Sequence, residues 1–238
     1  MASDPHDQLV SAVLAVRAPP GLAVSEISTG LRAEIGNLSG ATEISRTVVS
    51  VADIDPGIAR WVRPGEERES FAYQALVELT ATADAFNGIV ADAVAAARLY
   101  ADAVHAWRVT RLPARTEPQP PVSGTRSYGI KYVVLCNFHP DLPGSAARRS
   151  WDHHVPLALR IHRGAARYVR SWIDAPLSAD TPPFQGITEL CVPTREDMEQ
   201  RWFGSQYARA EIIQDIGHFL HSGVRLYTTE HVLKDQTR

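Results

Sequence analysis

The chain has 238 residues, of which 45% are hydrophobic and 21% charged, with a formal net charge of −3. That length suits one large domain or two of about a hundred residues each, and the ordinary composition excludes disordered and collagen-like classes. The charge leaves no basic footprint for nucleic acid or an acidic membrane, and no apolar run reaches the roughly 18 residues of a membrane-crossing helix.

The N-terminal stretch MASDPHDQL has neither a basic n-region nor an apolar core, so no signal peptide is expected. Leu9 to Val16 reads as a strand, and a helix follows from about Ser25, with Ile27, Leu31, Ile35 and Leu38 at helical spacing. Ile44–Val51 and Ala72–Leu79 read as strands. Thr82 is placed to cap an Ala- and Val-rich helix ending near Tyr100, and Ala103–Leu112 closes the half as a last strand. The order is βαββαβ.

Between Pro113 and Gly124, four prolines favour extended backbone and mark a linker. This divides the chain into a first half (1–112), a Pro-rich linker (113–126) and a second half (127–238). The second half repeats the order of the first. Tyr128–Phe138 is a strand of β-branched and aromatic residues, and Ser145 is a candidate N-cap for a helix running to about His162. Ala166–Ile173 and Gly186–Val192 are strands. Thr194 with Asp197 makes a capping-box-like helix start, and Val224–Leu233 is the final strand.

The third strands of the halves are alike, Ala75-Leu-Val-Glu-Leu79 against Gly186-Ile-Thr-Glu-Leu190. The fold class expected is α+β: two ferredoxin-like βαββαβ units packed sheet to sheet as a pseudo-dimeric barrel. Each unit covers one sheet face with its helices and leaves the other bare, and the two bare faces cover each other.

Chemistry concentrates in Trp151-Asp152-His153-His154-Val155-Pro156-Leu157. At 100° per residue, Trp151, His154, Ala158, Ile161 and His162 share one stripe, while His153 points to water. A stripe-facing histidine either hydrogen-bonds as a core residue or acts as a general acid–base, since its ordinary pKa lies near neutrality. Pro156 strains the helix near residue 152.

Tyr168, Arg170 and Trp172 share one strand face and either line a cleft or pack against the other half. His162 lies about 12 Å beyond His154 by helix rise, where it can meet terminal carbonyls. Asp215, His218 and His221 are expected on one helix at intervals of three, a spacing that rotates them away from a single tight metal site. Asp215 is then an i,i+3 partner of His218.

Cys136 and Cys191 sit in apolar strand-like runs, as buried thiols of a reducing, cytoplasmic compartment rather than nucleophiles. No glycine-rich phosphate loop and no G-x-S-x-G elbow occurs.

Residues 127–236 resemble the EthD family of the dimeric α+β barrel superfamily. The resemblance is carried by Trp151…His154-Val155-Pro156-Leu157, Arg160-Ile161-His162-Arg163-Gly164 and Ala166-Arg167-Tyr168-Val169-Arg170, and by Pro183-Phe184-Gln185-Gly186-Ile187-Thr188-Glu189-Leu190, Asp215…Phe219 and Thr229-Glu230-His231-Val232. In the family the tryptophan more often stands four residues before the histidine; here it stands three before.

The resemblance implies a tandem fused pseudo-dimer with an equipped second half and a scaffolding first half. It implies small-molecule catalysis. The stripe-facing histidine beside aromatic residues, in a chain without cofactor motifs, points to a cofactor-independent lyase, cyclase or decarboxylase acting on a hydrophobic aromatic or polyketide-like compound. His154 and Tyr168 are the candidate catalytic residues, with Trp151, His162, Trp172, Tyr227 and His218 as candidate substrate contacts. No metal or cofactor is expected, nor a nucleic-acid or membrane partner, and the assembly is a monomeric pseudo-dimer or a homodimer. The alternatives are a cofactor-free monooxygenase of phenolic or anthrone-type substrates and a non-catalytic protein that binds haem or an apolar metabolite.

Overall fold

Alternating apolar residues set the strands, and helical apolar stripes set the helices that cover them. The computed structural model describes residues 8–52, 72–117, 119, 121–127 and 129–236. Residues 1–7, read above for a leader, and Tyr128, read as a strand start, lie outside the described residues.

The first half comprises β1 (Leu9–Arg17), α1 (Val24–Leu38), β2 (Ile44–Val51), β3 (Ala75–Thr82), α2 (Phe86–Arg98) and β4 (Ala103–Arg115). A two-residue strand, β5 (Thr125–Arg126), precedes β6 (Ile130–Phe138), α3 (Gly144–Ile161), β7 (Arg167–Pro176), β8 (Gly186–Val192), α4 (Arg195–Gln200), α5 (Gln206–Ile216) and β9 (Leu220–Asp235).

Several boundaries differ from the sequence reading, each for a physical reason. Thr82 does not cap α2. It is drawn into the β3 ladder opposite Leu9, and its N–H donates to the Glu43 carbonyl, so the helix starts after Ala85. Pro143, not Ser145, is the N-cap of α3, its carbonyl accepting from Ala146 and Ala147. β4 runs through Pro113 to Arg115, into the stretch read as a linker. Beyond Val109 it pairs with β7 and no longer with β1, and a strand with one neighbour tolerates proline. Thr194 caps α4 as expected, accepting from the Asp197 N–H at 3.0 Å.

The strands run β2-β3-β1-β4-β7-β8-β6-β9, and β9 returns to pair with β2, so eight antiparallel strands close into a barrel with β5 added on β9. Within each half the spatial order is fourth, first, third, second strand: β4-β1-β3-β2 and β9-β6-β8-β7. The two sheets face each other as the bare faces require. They are also hydrogen-bonded along both edges, at the β4–β7 and β2–β9 seams.

Side chains of alternate sign along each strand divide outside from inside. Outside the first half, α1 and α2 bury Ile27, Leu31, Ile35, Phe86 and Val90 against Leu14, Val77 and Leu79. Inside, one part of the barrel is apolar, with Val13, Leu76, Trp107, Val133, Leu135, Phe184 and Leu226 in one cluster.

The rest of the interior is ionic, which the sequence reading did not foresee. Lys131 pairs with Glu78, with Glu189 at 2.6 Å and with Glu230 at 3.2 Å. Arg111 reaches Glu78 at 2.7 Å and Glu189 at 3.2 Å, and Arg167 reaches Glu230 at 2.5 Å and Glu117 at 3.2 Å. Arg46 completes the ring on Asp235 at 2.5 Å and Glu78 at 3.5 Å. Burial alone raises a carboxyl pKa. Here the charges of Lys131, Arg111 and Arg46 overcome it and hold Glu78 well below its usual range. In the same way Arg167 and Lys131 hold Glu230 down to about 2.

Among the described residues no helix is long and apolar enough to cross a membrane.

Candidate active site

The candidate site lies outside the barrel, in the layer between the second sheet and helices α3 and α5. The apolar stripe of α3 is Ala147, Trp151, His154, Ala158 and Ile161, all buried, while Asp152 and His153 face solvent. The spacing of four and three residues puts His154 on the inner side of the helix. Pro156 stands on the exposed side of α3 and has no N–H to give the Asp152 carbonyl one turn earlier.

His154 meets α5 through one hydrogen bond. Its Nδ1–H donates to Oδ2 of Asp215 at 2.6 Å, a length typical of charge-assisted bonds. A carboxylate only accepts, so the proton is on Nδ1 and the lone pair on Nε2. Nε2 has no hydrogen-bond partner among the described residues. The imidazole is 7% exposed and the Asp215 carboxylate 38% exposed. Burial pushes the His154 pKa below its ordinary value, and the Arg170 charge adds to this; the Asp215 carboxylate pulls the other way without cancelling it. His154 is therefore a neutral base at pH 7, oriented by a carboxylate that also stabilises its protonated form.

Phe219, at the turn into β9, packs 5.4 Å from the His154 ring and links it to an aromatic cluster. Phe138 lies 6.1 Å from Phe219 and 5.3 Å from Trp151, and Trp151 meets Trp172 edge-on at 4.6 Å. Trp151 is pressed onto Gly186, where an added Cβ would stand 2.5 Å from Cζ3 of the indole.

Tyr168, Arg170 and Trp172 emerge from the outer face of β7 beneath α3, so the strand face that could have met the other half meets the helix layer instead. Burial pushes the pKa of the Tyr168 phenol well up, with the nearby Arg170 charge and the Trp151 indole opposing it. The guanidinium of Arg170 lies 5.4 Å above the Trp151 ring and donates to Asp152 at 2.7 Å. The structure thus brings His154, Trp151, Tyr168 and Trp172 into one layer.

His162, Tyr227 and His218 stand elsewhere. His162 caps the C-terminus of α3. Its Nδ1–H donates to the Trp202 carbonyl at 2.7 Å, and its ring lies 4.2 Å from the Trp202 ring. Burial lowers its pKa to about 4. Tyr227 packs 5.0 Å from Tyr132, which in turn meets Trp202. His218 is exposed in the turn after α5.

The expectation of Asp215, His218 and His221 on one helix is corrected. The helix ends at Ile216, and His221 belongs to β9. Asp215 is spent on His154 rather than on His218. The sequence signal for that pairing was present in the Asp215…Phe219 segment, but nothing in it specified that two helices 61 positions apart would meet there. Asp152 and Arg170 were likewise missed as a pair. Burial raises both cysteine thiols to about 12, which leaves them unreactive.

No family model matches the chain, and no curated protein matches it. Among solved structures, a candidate monooxygenase from Lactobacillus acidophilus NCFM is similar over 97% of this chain and 97% of its own, with a TM-score of 0.53 and 10% identity. A candidate chlorite dismutase is similar over 96% of each chain, with a TM-score of 0.50 and 9% identity. Both likenesses are of fold: this chain shares the α+β barrel architecture of those proteins.

Proposed function

We propose that the protein is a cofactor-independent lyase, cyclase or decarboxylase of a hydrophobic aromatic or polyketide-like molecule, with His154 as its acid–base group. One observation carries the reading: an imidazole set in an apolar layer, with Nδ1–H on Asp215 at 2.6 Å and Nε2 without a hydrogen-bond partner among the described residues. A base poised this way takes a proton from a carbon acid or phenol at Nε2. Asp215 stabilises the imidazolium until the proton is returned to product. The EthD-like character of the second half, a scaffolding role for residues 1–112 and a cytoplasmic setting belong to the same proposal.

The experiment is a comparison of wild type with His154→Gln and Asp215→Asn on aromatic polyketides and phenolic acids. Loss of about 10²–10⁴-fold in turnover for His154→Gln is expected, with a smaller loss for Asp215→Asn. Turnover unchanged in His154→Gln ends the proposal.

The fold shared with a candidate monooxygenase favours one second reading. In it His154 deprotonates an anthrone-type phenol whose anion reacts directly with dioxygen. One oxygen atom enters the product as a carbonyl at the former methylene, the other leaves as water with the two methylene hydrogens, and the substrate supplies all four electrons that reduce dioxygen. Stoichiometric oxygen uptake separates this reading from the first, in which oxygen is not consumed.

A further inference from the structure

Arg170 differs from the other buried arginines of the sheet in how its charge is answered. Arg46, Arg111 and Arg167 each meet two carboxylates inside the barrel. Arg170, on the outer face of β7, has a side chain only 10% exposed and, among the described residues, a single carboxylate partner, Asp152, which is itself 53% exposed. Its Nε is fully occluded and has no hydrogen-bond partner among the described residues, as is also true of Arg46 and Arg167, but those two have a second carboxylate to answer the charge. A buried guanidinium left with one solvated counter-ion is under-compensated, because desolvation is costly unless the charge is fully paired.

The surroundings of that guanidinium suit a flat organic anion. The Trp151 ring lies beneath it at 5.4 Å, and Trp172 stands on the same strand face with Arg148 over its ring at 4.8 Å. The positive charge of Arg170 is felt at His154, so the two groups share one electrostatic neighbourhood. Asp152 is also the residue of α3 whose carbonyl loses its helical N–H partner to Pro156.

We infer that Arg170 is the docking group for the carboxylate of an aromatic organic acid, and that Asp152 is an internal carboxylate holding its place until ligand arrives. This deepens the reading above and rests on it for the role of His154 as the nearby base. A planar guanidinium accepts a carboxylate through two parallel hydrogen bonds, which Asp152 does not supply: a single Nη1 bond to its Oδ1 is made. An incoming carboxylate that engages both outer nitrogens replaces one bond by two, while Asp152 turns to water.

The test is equilibrium binding by isothermal titration calorimetry, with 1-naphthoate as probe and 1-naphthamide as its neutral counterpart. The ¹⁵Nε–¹H resonance of Arg170 gives a site-specific second readout. Naphthoate is expected to bind, the amide to bind at least about tenfold more weakly, and the Arg170 resonance to move with naphthoate alone. Asp152→Asn removes the competing carboxylate and is expected to tighten naphthoate by about tenfold, whereas Arg170→Gln abolishes binding.

If Arg170→Gln does not fold, Asp152→Asn decides the matter by itself. An unchanged or weaker affinity in Asp152→Asn, equal binding of the amide, or no naphthoate binding by either protein overturns the inference. Failure of the acid–base reading looks different: naphthoate binds in this pattern, yet His154→Gln turns over an identified acid as well as wild type.

Discussion

Glu78 and Glu189 hold the same position in the third strand of each half and converge on one ammonium, that of Lys131. Each faces an equivalent valine on the first strand, Val13 opposite Glu78 and Val133 opposite Glu189. Two residues before those valines the halves differ, with Ser11 in the first and Lys131 in the second. Lys131 thus breaks the two-fold likeness at the centre of the barrel and ties the first half to the second.

Replacing Lys131 by Met leaves three buried carboxylates facing one another. Removing one side of a buried ion pair costs about 3–5 kcal/mol, and a loss of that size is expected in urea unfolding. Adding Glu78→Gln to Lys131→Met is expected to recover part of it. A Lys131→Met protein as stable as wild type would show that the cluster does not tie the halves together.

The same cluster sets the acid limit of the fold. The folded pKa of Glu230 is about 2, below its ordinary 4.5, and Glu78 is shifted in the same direction. A depressed carboxylate stabilises the folded state above its unfolded pKa, and that contribution is lost as pH falls through the folded value. Unfolding free energy measured at stepped pH is therefore expected to drop between about pH 5 and 2.

His162 acts in a higher window. Its folded pKa of about 4 lies below the ordinary 6.5, so the unfolded chain binds the extra proton between those values. Stability is then full above pH 6.5 and falls as pH descends toward 4. In His162→Gln the slope over that interval is expected to shrink, as read by urea midpoints at matched pH.

For His154 the expected midpoint in an imidazole NMR titration is below 6.5, because burial outweighs the Asp215 bond. Asp215→Asn removes the opposing carboxylate and is expected to lower that midpoint further. An upward move in Asp215→Asn would mean that the hydrogen bond does not favour the charged imidazole.

Gly186→Ala tests the tightness of the aromatic layer. The new methyl would meet Cζ3 of Trp151 at 2.5 Å and Cη2 at 2.7 Å. Overpacking of this kind costs about 1–3 kcal/mol, and a displaced Trp151 is expected to change the near-ultraviolet dichroism as well as the thermal midpoint.

How much of this could be read in the sequence follows from the range of the interactions. The periodicity of Ile27, Leu31 and Ile35, the stripe Trp151–His154–Ile161 and the repeated βαββαβ order are local signals, and they specify the halves and the buried face of α3. The likeness of the third strands even placed Glu78 against Glu189, but as a sign of repetition and not as a charge cluster. What joins Glu78 to Lys131, His154 to Asp215 or Arg170 to Asp152 is barrel closure and helix docking, which bring distant positions together at angles no short window encodes. Terminal positions shifted where tertiary pairing outcompeted a cap, as at Thr82, and where a strand began early, as with β9 at His221.

β9 pairs with β6 through its first part and then with β2 and β5 through its second. It follows every other described strand of the barrel in the chain, so the ring stays open until β9 has been made. During that time β2 presents Thr47, Val49 and Val51 along an unmet backbone edge, the kind of edge that recruits foreign strands. The nascent barrel therefore depends on how quickly the 16 residues of β9 are delivered, and slow translation of that stretch prolongs its exposure to misassociation.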